Sequence, residues 1–239
     1  MLLCFWGLEA EKKEKMKKTI KLFVLAALLM AGSQIHAQEE HQYVDLGLPS
    51  GTLWATCNVG ATTPEGYGDY FAWGETAPKD TYVGSNYKYY GSIDGYESRA
   101  TVTKYCFRPY NGYNNYTDNQ SVLLPEDDAA TVNWGSDWRM PTWEEWFELI
   151  KNTTNKMTIQ NGVKGWLFTA ANGNSIFVPA NGYRDSKLNN AGNYGNYWSS
   201  SVYGDKATSA YYFCFGSDTY IDTAPRNGGL SVRPVRAKK

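Results

Sequence analysis

Apolar positions along this chain come in short runs of aromatic and β-branched residues, cut apart by Gly, Asn, Asp and Pro. Runs of that length, bounded by turn formers, predict strands. They fall at Gln42 to Leu46, Leu53 to Val59, Tyr70 to Trp73, Trp166 to Ala170, Ser175 to Val178, Tyr197 to Ser201, Ala210 to Phe215 and Leu230 to Val235. Asn172-Gly173, between two of these runs, reads as a hairpin turn, because both residues tolerate positive φ. Within the run ending at Phe215, Tyr211, Phe213 and Phe215 alternate with Tyr212 and Cys214, so one set is expected to face the core and the other not. One segment changes period. Thr142 and Glu145 have the spacing of a capping box, and Trp143, Trp146, Phe147 and Ile150 recur on one helical face, which predicts a helix from about Trp143 to Lys151. A shorter helix is predicted to start at Pro125, with Glu126, Asp127 and Asp128 at the positive end of its dipole. The fold class is therefore α+β, mostly short antiparallel strands and loops with about two helices.

Near the N-terminus the pattern signals an address rather than a fold. Lys17, Lys18 and Lys21 precede an apolar run from Leu22 to Met30, and small and polar residues follow to Ala37. That is the layout of a secretory signal peptide cut after Ala37, with Met16 as the start and Met1 to Lys15 as an upstream extension. The apolar run falls short of the roughly 20 residues that span a bilayer, so the mature chain is expected to have no transmembrane anchor. Residues 1–37 are thus set apart from one domain over 38–239, long enough for a sizeable core. The expected location is the periplasm, the cell surface or the medium.

Composition narrows the chemistry. The formal net charge is −1 with both signs interspersed, which removes the attraction that nucleic-acid binders depend on. After cleavage only His41 remains of the histidines, too few for a His-activated nucleophile or a His-based zinc site. No enzyme is expected. A glycan-degrading carboxylate pair is the rival from another class, although Glu144, Glu145 and Glu148 on one short helix read as capping and solvated charges. Cys57, Cys106 and Cys214 leave room for one disulfide with a thiol over, or for three buried thiols.

Six blocks carry a resemblance: Tyr43 to Gly51, Trp54 to Ala61, Tyr67 to Thr76, Trp138 to Thr142, Tyr197 to Ser200 and Ser231 to Val235. In sequence and order they resemble the Fibrobacter succinogenes major paralogous domain, over nearly all of residues 38–239. The resemblance implies a C-type-lectin-like fold, distantly related to formylglycine-generating sulfatase-modifying domains, in exported proteins of Bacteroidetes. It also implies Cys57 with Cys106 as the preferred disulfide. The paired active-site cysteines of the formylglycine-generating relatives are not matched, since Cys214 stands alone between aromatic residues. Some relatives are targets of diversity-generating retroelements that vary a C-terminal binding face.

The stretch from Tyr203 to Asn227 lies where such a variable face would end, and its Tyr, Asn, Ser and Asp are residues of recognition surfaces. Tyr203, Asp205, Asp218, Tyr220 and Asp222 are the candidate ligand-binding residues, because no apolar period buries them. The ligand is expected to be a glycan or a protein, of host or fimbrial origin, with the chain itself an adhesin or a fimbrial-tip component; a structural surface subunit without its own ligand is the milder alternative. No cofactor is expected. Calcium at Glu126, Asp127 and Asp128 is the one weighed against helix-start electrostatics, since adjacent carboxylates at a helix start do not converge on one ion. Arg139, Arg184 and Arg233 are assigned to the scaffold, and Trp54, Trp73, Trp138, Trp143, Trp146 and Trp198 to the core.

Overall fold

A computed structural model describes residues 41–93, 100–204 and 206–238. The predicted signal peptide and Asp205 lie outside the described residues. The described residues belong to the unit Glu40–Lys239. In chain order its strands and helices begin with β1 (Tyr43–Asp45), β2 (Leu53–Ala55), β3 (Tyr70–Phe71), β4 (Tyr90–Ser92) and β5 (Thr101–Val102). Helices α1 (Ala129–Trp134) and α2 (Trp143–Asn152) follow, then a hairpin sheet of β6 (Thr153–Gln160), β7 (Val163–Ala170) and β8 (Ser175–Pro179). The chain ends with β9 (Tyr183–Arg184), β10 (Leu188–Asn189), β11 (Gly195–Val202), β12 (Ser209–Phe215), β13 (Thr219–Pro225), β14 (Leu230–Ser231) and β15 (Val235–Arg236).

The central sheet has the order β13-β12-β11-β14-β3, and a second sheet, β1-β2-β15, brings the two ends of the unit together. Among the described residues the strand pairings are antiparallel except β11 with β14. Alternation along the strands sends side chains to two separate cores. Tyr197, Phe213 and Phe215 join Trp146, Trp166 and Phe168 on one side, while Trp198, Ala210, Phe71 and Leu230 join Trp73, Trp138 and Tyr105 on the other. The expectation that one face of Ala210 to Phe215 would be left outside is corrected. Neither face is left wholly outside: Cys214 is buried and Tyr212 is half-buried against the second core.

Helix α2 lies on the first core for local reasons. Thr142 Oγ1 accepts from Glu145 N at 3.3 Å and the Glu145 carboxylate accepts from Thr142 N at 2.9 Å, so the capping box closes in both directions. Trp146 stacks on Phe213 with ring centroids 4.4 Å apart. Phe147, assigned by spacing to the buried face, is 46% exposed and sits under the Lys151 ammonium instead; Leu149 takes the buried place. Thr142→Ala is expected to cost about 1 kcal/mol, read as a fall of about 2–4 °C in melting temperature for a domain of this size. An unchanged melting temperature would show that the cap contributes nothing.

Three further expectations are corrected. Pro125 opens only a 3₁₀ turn (Pro125–Asp127), and the α-helix begins at Ala129, capped by Asp128 through Ala130 N at 2.9 Å and Thr131 N at 3.0 Å. The acidic trio consequently divides between the helix cap and the Lys104 ammonium. Asp128 caps, Glu126 reaches Lys104, and buried Asp127 accepts from Tyr105 Oη at 2.6 Å, from Tyr89 and from Lys104. The loop at Asn172-Gly173 is longer than a two-residue turn, and only Gly173 has positive φ (86°). Finally, Cys57, Cys106 and Cys214 are all free thiols, so the Cys57–Cys106 bridge does not form.

The predicted core tryptophans are buried except Trp143, which is half-buried against Tyr211. Arg139 holds Glu145 through two bonds of 2.6 Å, and Arg233 is enclosed completely. Among the described residues no helix is long and apolar enough to cross a membrane.

Candidate ligand-binding face

Edge strand β13 has no apolar period that marks it as a strand, yet it pairs with β12 along its whole length, from Thr219 opposite Phe215 to Pro225 opposite Ser209. Ile221 points into the first core. Tyr220, Asp222 and Ala224 therefore share the opposite face. The register places Tyr220 beside Cys214, Asp222 beside Tyr212 and Ala224 beside Ala210. On β11 the same face carries Asn196 and Trp198, which oppose Cys214 and Tyr212.

A cavity of about 480 Å³ opens on this face. Asn196, Tyr212, Ala224 and Leu230 form its sheet side, and Tyr183, Arg184 and Asp185 stand over it together with Tyr82 and Val83. The turn at Asn227-Gly228 completes the lining. Buried Asn181 fixes the Tyr183–Asp185 wall to the sheet by accepting from Asn196 N at 2.8 Å and donating to Asn196 O at 3.0 Å. Arg184 N donates to Gly229 O at 2.8 Å and Gly229 N donates to Arg184 O at 2.9 Å. Glycine is required at 229, because a Cβ there would lie 2.7 Å from the Tyr82 ring.

The polar groups of the lining differ in what they have left to offer. Asp185 Oδ1 already accepts from Lys187 N at 3.0 Å and Ser186 Oγ at 3.2 Å. The Lys187 bond chiefly holds its carboxyl below the ordinary range. Asn227 Oδ1 accepts from Tyr90 Oη at 3.2 Å. Burial pushes the Tyr212 phenol well above its ordinary value, so it stays a protonated donor. Burial likewise pushes the neighbouring Cys214 thiol up to about 12, which leaves no thiolate at neutral pH to act as a nucleophile. The Arg184 guanidinium rests over the Tyr70 ring at 5.7 Å.

The five residues expected to bind ligand do not form one constellation. Tyr220, 47% exposed, and exposed Asp222 continue the cavity face outward along β13. Four residues of strand put Tyr220 about 13 Å from Ala224. Asp218 is exposed in the turn at the far end of the β12–β13 hairpin, where its Oδ1 accepts from Thr219 N. Tyr203 packs edge-on against Tyr211 at 5.4 Å, and Tyr211 leans on Trp143 of α2, so Tyr203 belongs to the opposite face of the sheet. Asp205 lies outside the described residues.

Sequence reasoning missed Tyr82, Tyr183, Asp185 and Asn196, reached Asn227 only as the end of the Tyr203 to Asn227 stretch, and filed Arg184 with the scaffold; the structure puts all six in the cavity lining. The signal available was local: Tyr183-Arg184-Asp185 places three recognition residues in succession. No family model, no curated protein and no solved structure matches the chain.

Proposed function

We propose that this chain is an exported ligand-binding or adhesion protein that offers the Tyr220–Asp222 face and its adjoining cavity to a glycan, on a C-type-lectin-like domain of the Fibrobacter succinogenes major paralogous type. The observation that carries the reading is the continuity of an exposed Tyr/Asp strand edge with a cavity walled by Tyr183, Arg184 and Tyr212. Its volume lies within the range of about 300–1,000 Å³ typical of small-ligand sites. Flat rings suit pyranose faces and the amides suit hydroxyls. The family proposal is supported by where its motif residues fall, since Trp54, Trp73, Trp138, Trp198 and Arg233 are all buried.

Hydrolysis is the weaker reading. A glycosidase needs two carboxylates flanking the bond, and the cavity lining holds one, Asp185, already engaged.

Binding of Gln38–Lys239 to a glycan array, with and without calcium, tests the proposal. The double variant Tyr220→Ala/Asp222→Ala is expected to bind about thirtyfold more weakly, equivalent to about 2 kcal/mol at an interface hot spot, with its melting temperature essentially unchanged because both side chains face solvent. Tyr203→Ala is expected to leave binding intact. Equal binding by the double variant, or no binding to any glycan, would overturn the assignment and favour a protein partner or a purely structural subunit.

A further inference from the structure

We infer that the cavity selects a carboxylate-bearing sugar, with Arg184 as the group that pairs with the acid; this rests on reading the face as a glycan site. Among the described arginines, Arg184 alone has a guanidinium without a hydrogen bond or ion pair. Arg139 is forked onto Glu145, Arg226 and Arg233 donate to buried carbonyls, Arg236 meets Asp137 and Arg108 meets Tyr110. Arg184 is instead held from behind, by its backbone bonds to Gly229 and by the Tyr70 ring. A planar cation fixed at its base, with its donors uncommitted and lining a cavity, is organised for bidentate recognition of a carboxylate.

The neighbouring charges leave that role open. Asp185, the one carboxylate of the lining, is turned into its own loop by Lys187 N and Ser186 Oγ. Asp222 stands further along the face, beside Tyr212, where its Oδ1 accepts from Thr223 N. The site is therefore polarised, cationic at Arg184 and acidic toward the β13 edge. An acidic pyranose matches both ends, with its carboxylate at Arg184, its ring against Tyr183 or Tyr212, and its hydroxyls toward Asn196 and Asp222. A neutral sugar would leave the guanidinium without a counter-charge in a partly desolvated site, which disfavours it relative to the acid.

The test uses Gln38–Lys239 on an array of uronic- and sialic-acid oligosaccharides, each beside its carboxyl-reduced counterpart, with neutral glycans and free-carboxylate peptides as further members. Reduction of the carboxyl is expected to weaken binding at least tenfold. Arg184→Met should abolish that preference with its melting temperature unchanged, and Arg184→Lys should restore only part of it, because an ammonium offers no fork. Glycan binding that ignores both carboxyl reduction and Arg184→Met overturns this inference and leaves the glycan site standing. Binding only to the peptides, or to nothing, overturns both.

Discussion

Arg233→Ala is expected to be among the most damaging substitutions in the molecule, lowering stability by about 4 kcal/mol through buried acceptors left without donors. The side chain is fully buried and donates to Asn58 Oδ1 at 2.8 Å, Ala55 O at 3.0 Å, Thr56 O at 2.7 Å and Phe177 O at 3.2 Å. It thereby joins β2, the loop after it and β8, three segments that share no ladder. Each orphaned acceptor costs about 1–3 kcal/mol, and the cavity left behind adds to this. Relief of the desolvated charge offsets part of the loss; burial already pulls the Arg233 pKa below its ordinary value. At about 2–4 °C per kcal/mol for a domain of this size, the melting temperature should fall by roughly 10 °C or more. Arg233→Lys should fare little better, since one ammonium cannot reach four acceptors spread around a planar fork. Urea unfolding of both variants decides the matter, and a loss under 1 kcal/mol in Arg233→Ala would sink this account of how the sheets are joined.

The same residue explains where the sequence was readable and where it was not. Leu230 to Val235 reads as one strand, but Pro234 has no N–H for a ladder and Arg233 turns inward, so the run divides into β14 in the central sheet and β15 beside β2. Local chemistry carried through elsewhere. The Thr142–Glu145 box and the spacing of Trp143, Trp146 and Ile150 specify α2 within a residue, because capping and helical period depend only on near neighbours. Strands β6 and β13 escaped because each has a solvent-facing side. Thr153 to Gln160 and Thr219 to Pro225 are rich in Thr, Asn and Asp, and their ladders come from partners whose positions the local pattern does not reveal.

The candidate site was half legible for a related reason. Tyr220 and Asp222 stand out as residues that no apolar period buries, and they do face solvent. Tyr203 stood out equally, but which face of the sheet a flanking tyrosine joins is decided by Trp143 and Tyr211, not by its own neighbours in sequence. The cavity itself brings together Tyr82, Arg184 and Asn227 from widely separated segments. No spacing rule links them.

Asp127→Asn is expected to cost about 3 kcal/mol at pH 7, as loss of one partner from a buried ion pair does, and to flatten the acid limb of the stability curve. Asp127 gathers Tyr89, Tyr105, Lys104 and Lys88, the last at 3.3 Å, around one buried carboxylate. Burial pushes its pKa up, but the bonds from Lys104, Tyr105 and Tyr89 outweigh this and hold it below the ordinary value. Glu145 behaves alike, with burial opposed and overcome by Arg139. A carboxyl depressed in the folded state contributes stability that is complete above its unfolded pKa, about 4, and is lost as pH falls through the folded value. Asp128 has the opposite sign, since burial raises its pKa and folding takes up its proton as pH falls. Wild-type stability should therefore hold level above about pH 5 and fall below pH 4, with Asp128 blunting the fall. Asn at 127 keeps one acceptor oxygen where the carboxylate has two, so it accepts from one tyrosine, turns its amide N–H₂ toward the other tyrosine and its lysine, and forfeits the ion pair and with it that residue's share of the pH dependence. Urea unfolding at pH 7 and pH 3 measures both effects. A variant whose stability falls between those pH values as steeply as the wild type's would show that the Asp127 cluster does not govern acid unfolding, and would shift the explanation to Glu145 and Arg139.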